Sequence, residues 1–246
     1  MAKEMARRTS FSGPALVRLL ARLNDTDVRG PSQSPPDRLS HWLGWSDAIA
    51  LAGALGGAAP VVSHTASSLN GTQEYDRVHK ALSDLIVAVN APAPARHRTR
   101  QPPAARPGGT VSAATIEFST YRQRYIALQQ TMETRCTDLR ARLRKMLASR
   151  SSAMARLAAV DAVMEQALNE REFCVLARIP VLLEGHFKRL KQAALDHEVE
   201  PRLESAGQAN AWLNAFHEDM QNVLFAELDI RLQPAQGLQA ALTRRP

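Results

Sequence analysis

The sequence predicts an all-α protein, and three observations carry that prediction. Between Gly109 and Pro180 the chain runs for seventy residues without a glycine or a proline, so nothing in it breaks a long helix. Within that stretch large apolar residues recur at Phe118, Tyr121, Tyr125, Leu128, Met132, Cys136, Leu139, Leu143 and Met146/Leu147. This is the alternating three-and-four step of one helical face, not the period of a strand. Aromatics make up only 5% of a chain that is 45% hydrophobic, so the core must be built of Ala, Leu, Val and Met, which suits close helix packing better than a β-sandwich. The expected architecture is a small N-terminal helical unit joined to an elongated C-terminal helical bundle organised on the long helix.

Taken in order, Ser12-Gly13-Pro14 reads as a helix start, followed by Leu16, Leu19, Leu20 and Leu23 on one stripe opposite Arg18 and Arg22. Ser34-Pro35-Pro36-Asp37 is a second start, with Leu39, Trp42 and Leu43 before Gly44 stops the helix. Ser46-Asp47 opens a third, with Ile49, Leu51 and Leu55 expected inside, so that residues 12–57 read as a compact three-helix unit. Residues 58–72 lose all periodicity and read as a flexible connector. Tyr75, Val78, Leu82, Leu85 and Val89 then form a stripe that needs a neighbour to be stable, which closes an N-terminal unit of 12–90. Residues 91–110, rich in proline and arginine, form the expected linker, and 111–232 the expected bundle.

Inside the bundle, Ser149–Ser152 can cap a new helix yet does not forbid continuation, so a turn there is left open. The stripe resumes at Met154, Leu157, Val160/Asp161, Met164 and Leu168. Pro180 must break or kink whatever reaches it, and Leu183, Phe187, Leu190 and Ala194 carry the next helix. A last helix begins after Ser205, uses Trp212, Phe216, Met220, Val223, Leu224 and Ile230, and is expected to stop before Pro234.

The formal charge is +7, which raises a phosphate-bearing partner. The surplus is unevenly placed. Residues 91–150 hold twelve Arg or Lys against three Asp or Glu, while 196–231 hold eight acids against two bases, so the two segments are expected to face one another or a ligand. Cys136 and Cys174 lie in helical patterns and read as free thiols of a reducing compartment. Arg18 and Arg22 interrupt any export signal, and the uncharged run after Asp47 is too short and glycine-rich to span a bilayer.

Candidate chemistry is sparse. Leu39 to Asp47 has the spacing of a helix-turn-helix, but the helix that would read bases, Asp47 to Leu55, offers them no basic or amide side chain. The sets Asp76/His79, His186/His197 and His217/Glu218/Asp219 lack the ligand count and spacing of a metal site, and no cofactor motif occurs. Cys174 sits in Phe-Cys-Val-Leu, an apolar setting that favours core packing over nucleophilic use. The candidate anion-binding surface is the basic run Arg135, Arg140, Arg142, Arg144, Lys145 and Arg150. The candidate partner-binding residues are Trp42 and Trp45 in the N-terminal unit, and Met132 and Leu139 on a stripe that repeats every seven residues. A homodimer or a protein partner is expected on such helical surfaces.

Three stretches carry a resemblance: Arg7 to Leu20, Asp37 to Leu55 with Trp-Leu-Gly-Trp-Ser-Asp-Ala-Ile-Ala-Leu, and Asp219 to Leu242 with Ala-Glu-Leu-Asp-Ile-Arg-Leu-Gln-Pro. Together they resemble a bacterial family classed only as a domain of unknown function. Such a family brings no catalytic residue. The resemblance implies genomic company with membrane proteins and an outer-membrane-protein-A-like peptidoglycan binder, hence a cytoplasmic accessory peripheral to the inner membrane. The expected function is that of a non-enzymatic helical scaffold or adaptor, and the alternative is a nucleic-acid-associated protein gripping phosphate through residues 135–150.

Overall fold

The computed structural model describes residues 14–26, 34–56, 70–91, 116–198 and 211–244, and every regular element among them is helical. The protein is all-α. In chain order the helices are α1 (Ala15–Leu23), α2 (Pro35–Trp42), α3 (Trp45–Gly56), α4 (Gly71–Ala88), α5 (Ser119–Ala148), α6 (Ser152–Leu176), α7 (Ile179–Glu198) and α8 (Ala211–Thr243). Nearly all of the expected connector and linker, 57–69 and 92–115, lies outside the described residues.

The 30 residues of α5 make a rod roughly 45 Å long. Its buried stripe is Tyr125, Leu128, Met132, Cys136, Leu139, Leu143 and Met146/Leu147, as the spacing requires, and α4, α6, α7 and α8 all pack on it. The chain turns after α5 instead of continuing. Ser151 adopts an extended conformation and its Oγ accepts the N–H of Met154 at 3.2 Å, so the serine cluster is used as a cap. At Ala177–Arg178 the helix is interrupted without reversing, so that α7 continues the path of α6 along α5, and Pro180 sits in the first turn of α7, where its missing N–H forfeits no helical bond.

The last helix departs from expectation. It runs through Pro234 to Thr243, although an interior proline costs a helix about 3 kcal/mol. What offsets this is burial beyond the break. Ala235, Leu238 and Leu242 all join the core, and each buried leucine contributes roughly 1.5–3 kcal/mol. Gln236 also donates to the Tyr75 hydroxyl at 2.9 Å, tying this added length to α4. Leu242 packs so closely on the first residue of α4 that a Cβ at Gly71 would lie 2.6 Å from its Cδ1. On α4 itself the inward stripe is Tyr75, Val78, Leu82 and Ile86, with Leu85 exposed.

The early helices pair mainly with the bundle, unlike the three-helix packing expected of 12–57. α1 lies on α7 and α8, α3 on α6, and α4 between α5 and α8. Leu16, Leu23, Tyr75, Val78, Leu82 and Ile86 belong to the same apolar cluster as the α5 stripe. At one end, Phe118, Tyr121, Phe187, Trp212 and Phe216 interlock α5, α7 and α8, with Phe187 edge-on to Phe216 at 5.0 Å and to Trp212 at 5.3 Å.

One polar knot crosses this core, centred on the fully buried carboxylate of Glu227. It accepts the Tyr125 hydroxyl at 2.7 Å, Gln129 Nε2 at 3.1 Å and Arg231 Nε at 2.9 Å. Gln129 Nε2 also donates to the carbonyl of Leu176 at 3.1 Å, which fixes the end of α6. Burial, reinforced by the negative charge of Glu227, holds the Tyr125 phenol well above its ordinary range, so it stays a donor. Removing one partner of such a knot strands a buried charge. Glu227→Ala is therefore expected to lower unfolding free energy by about 3–5 kcal/mol, whereas Tyr125→Phe should cost about 1–2 kcal/mol. Urea unfolding followed by circular dichroism measures both, and a near-neutral Glu227→Ala would contradict a core held by this carboxylate.

Candidate interaction surfaces

The basic run of α5 does not form an open anion site. Arg140 grips Asp161 of α6 in a fork, Nε to Oδ2 at 2.8 Å and Nη2 to Oδ1 at 2.7 Å. Arg144, one turn on, reaches Asp161 at 3.0 Å and Glu165 at 2.6 Å. All four side chains are largely buried, which places these pairs above the weak surface kind. Arg142 turns to α4, where its Nε lies 2.6 Å from Glu74 Oε1. That approach misses hydrogen-bond alignment, leaving Nε without a directed acceptor, so the contact is chiefly Coulombic. Bidentate bonds from Arg77, joined by the charge of Arg142, hold the Glu74 carboxyl below its ordinary range in spite of burial. Arg150 donates to the carbonyl of Leu242 at the end of α8. Arg135 and Lys145 are exposed, with no ion pair among the described residues. α8, which carries much of the acidic 196–231 segment, does lie along α5, but among the described residues the arginines of the basic run pair with Glu74, Asp161 and Glu165.

Other cations close helix ends. Arg124 donates to the carbonyl of Val89 at 3.2 Å, and Arg189 to that of Leu23. Both lie at C-terminal ends, where unpaired carbonyls and the helix dipole favour positive charge.

Met132 and Leu139, expected on a partner surface, are fully buried. The helices packed around α5 already cover its seam, and the repeat marks an internal contact. Trp42 and Trp45 have the opposite fate. Trp42 lies near two guanidiniums, Arg38 at 5.5 Å and Arg171 at 5.8 Å from its ring centre. Trp45 is 84% exposed, and Ile49 and Leu55, expected inside, are 57% and 56% exposed. The half-buried positions of α3 are Asp47, Leu51 and Ala54, and Asp47 Oδ2 accepts the N–H of Gly44 at 3.0 Å. The helix therefore turns its capping acid inward and its larger apolar side chains outward, the reverse of an ordinary surface helix.

Among the described residues the histidines stand apart from one another. His186 Nε2 contacts Asp219 Oδ2 at 2.8 Å, while His79 stacks on Tyr75 at 6.0 Å; the side chain of His197 lies outside the described residues. His217 lies against Tyr121 at 5.3 Å, and burial, with Arg124 nearby, pulls its pKa below the ordinary value. Among the described residues no three metal-ligating side chains converge. A cavity of about 100 Å³ between α5, α6 and α8 is lined by Glu133, Cys136, Arg140, Glu172 and Arg231. A wider groove of about 550 Å³ beside the start of α5 is lined by Phe118, Arg122, Glu184, Phe187 and Lys188, with Lys188 paired to Glu184 at 2.7 Å. No described helix is long and apolar enough to cross a membrane.

The family model described as a protein of unknown function, DUF3348, matches residues 1–244. The chain belongs to the DUF3348 family. No curated protein and no solved structure matches it. The terminal stretches that carry the resemblance hold the two tryptophans of α2 and α3 and the Glu227–Arg231 pair of α8, so they include both the outward surface and the buried knot.

Both thiols are free, but not alike: Cys136 is buried and Cys174, expected in the core, is exposed. Burial pushes the Cys136 thiol up to about 12, against the pull of Arg231. A thiol reagent at neutral pH should therefore modify one cysteine quickly and the other only on unfolding, and Cys174→Ser should abolish the fast phase. Two fast thiols in the folded chain would contradict the burial of Cys136.

Proposed function

We propose that the protein is a non-enzymatic helical scaffold or adaptor that acts by docking a protein partner on the outward face of α3. One observation carries this reading: Trp45, Ile49 and Leu55 stand exposed on a helix whose solvent side holds no charged residue after Asp47. An apolar helix face left in water is the mark of a surface that meets something else. Tryptophan with neighbouring arginine is the composition that dominates binding energy in protein interfaces.

The disposition of the reactive groups supports the non-enzymatic part. Glu227 is neutralised by Arg231 and bonded by Tyr125 and Gln129, His186 is engaged by Asp219, and the Cys136 thiol is held protonated. The alternative, phosphate binding by residues 135–150, would have to run on Arg135 and Lys145, since the other four side chains are engaged within the chain. A cytoplasmic place beside an envelope complex, peripheral to the inner membrane, follows from the resemblance and belongs to the proposal.

The test is affinity capture from native cells with the whole chain and with Ile49→Glu/Leu55→Glu as bait. A protein recovered by the first and lost from the second supports docking on α3. An identical catch from both baits would sink the reading.

A further inference from the structure

We infer that the occupant of the α3 face is a second copy of this chain, placed by a two-fold axis that lays α3 against its own counterpart. The inference rests on the docking role proposed for that face and names its partner. Three features of the surface point to a copy rather than to an anionic lipid or nucleic acid.

The first is charge. The outward side of α3 is uncharged, and the exposed charged groups of its neighbouring helices include Asp37 and Arg38 on α2 and Arg156, Glu170 and Arg171 on α6, which packs on α3. A two-fold interface brings a patch against itself, so a rim of one sign would repel its copy, while a mixed rim supplies arginines with carboxylates across the axis. The same mixture leaves almost no net local charge to attract phosphate, although the chain as a whole carries +7.

The second is area. Trp45, Ile49, Leu55 and Trp42 are 84%, 57%, 56% and 38% exposed. With a whole tryptophan on the order of 200 Å², these four side chains offer roughly 500 Å² of apolar surface. Two copies would bury roughly 1,000 Å² from these residues alone, at the threshold for a specific interface and short of an obligate one. A reversible dimer is the expected outcome.

The third is close approach. A Cβ at Gly53 would meet nothing within 4 Å, so packing within the chain does not require glycine there, and a glycine inside a helix weakens it relative to alanine. With Ala48, Ala52 and Gly56 also exposed on α3, the helix presents a surface low enough for another helix backbone to pack closely between Trp45 and Leu55.

The experiment is light scattering on the full chain across a wide range of concentration, beside Ile49→Glu/Leu55→Glu with its helical content checked by circular dichroism. The expected result is a mass that rises from 27.0 kDa to twice that value. In the folded double variant the association should weaken on the order of 100-fold or more, as for loss of an interface centre. A monomer at every concentration overturns the inference, and so does a dimer that survives in the folded variant. Should the double variant lose its helices, Ala52→Cys in a Cys174→Ser chain decides: oxidation to a covalent dimer supports the two-fold, and failure to cross-link overturns it. A monomer that sediments with vesicles of phosphatidylcholine and phosphatidylglycerol through Ile49 gives the face to lipid and also overturns the inference. If the chain is monomeric yet its captured protein is lost from the variant, docking on α3 stands and only self-association falls.

Discussion

Two arginines one turn apart on α5 meet two carboxylates one turn apart on α6, and the return of the chain along α5 depends on that match. α6 buries only Ala155, Ala158 and Leu176, too little apolar surface to hold 25 residues in one register. The fork between Arg140 and Asp161, continued by Arg144 and Glu165, supplies what the apolar stripe lacks. Partly buried charges of opposite sign define an alignment because a slip of one residue leaves them unpaired. With α6 fixed, Leu176 brings its carbonyl to Gln129, and the Glu227 knot closes across α5, α6 and α8.

The same arrangement explains why most of the basic run of α5 is turned to partners within the chain. Guanidinium groups are engaged by Glu74, Asp161, Glu165 and Glu227, and by the carbonyl ends of α1, α4 and α8. Arginine suits both tasks because its planar donors serve two acceptors at once and remain charged when half-buried. On α3, Trp45, Ile49 and Leu55 are turned to solvent while Asp47, Leu51 and Ala54 are half-buried.

Much of the fold is legible in the sequence. The long gap without glycine or proline and the apolar step from Phe118 to Leu147 specify α5 almost residue by residue, because periodicity depends only on which side of a helix is dry. The parts that are not legible depend on partners distant in sequence. Glu227 sits in an apolar stripe with Arg231 four residues on, a signal that is present, but the residues that make its burial tolerable, Tyr125 and Gln129, lie about a hundred positions away. Met132 and Leu139 satisfy a seven-residue repeat equally well as an external seam or an internal one, and only the presence of α8 and α4 decides. Pro234 reads as a stop from its local cost, which burial of Leu238 and Leu242 outweighs. Ile49 and Leu55 read as interior because apolar residues often are, yet much of any protein surface is apolar as well.

The claim that α5 uses its arginines to fold the chain, rather than to bind a ligand, is tested most directly by a double-mutant cycle between Arg140 and Asp161. Unfolding free energies of the unaltered protein, Arg140→Met, Asp161→Asn and the double variant would be measured in urea. The expected coupling is about 1.5–3 kcal/mol, the double change costing less than the sum of the two single ones. Costs that add within about 0.5 kcal/mol would mean that the two groups do not depend on each other, and a folding role for the basic face of α5 would be wrong.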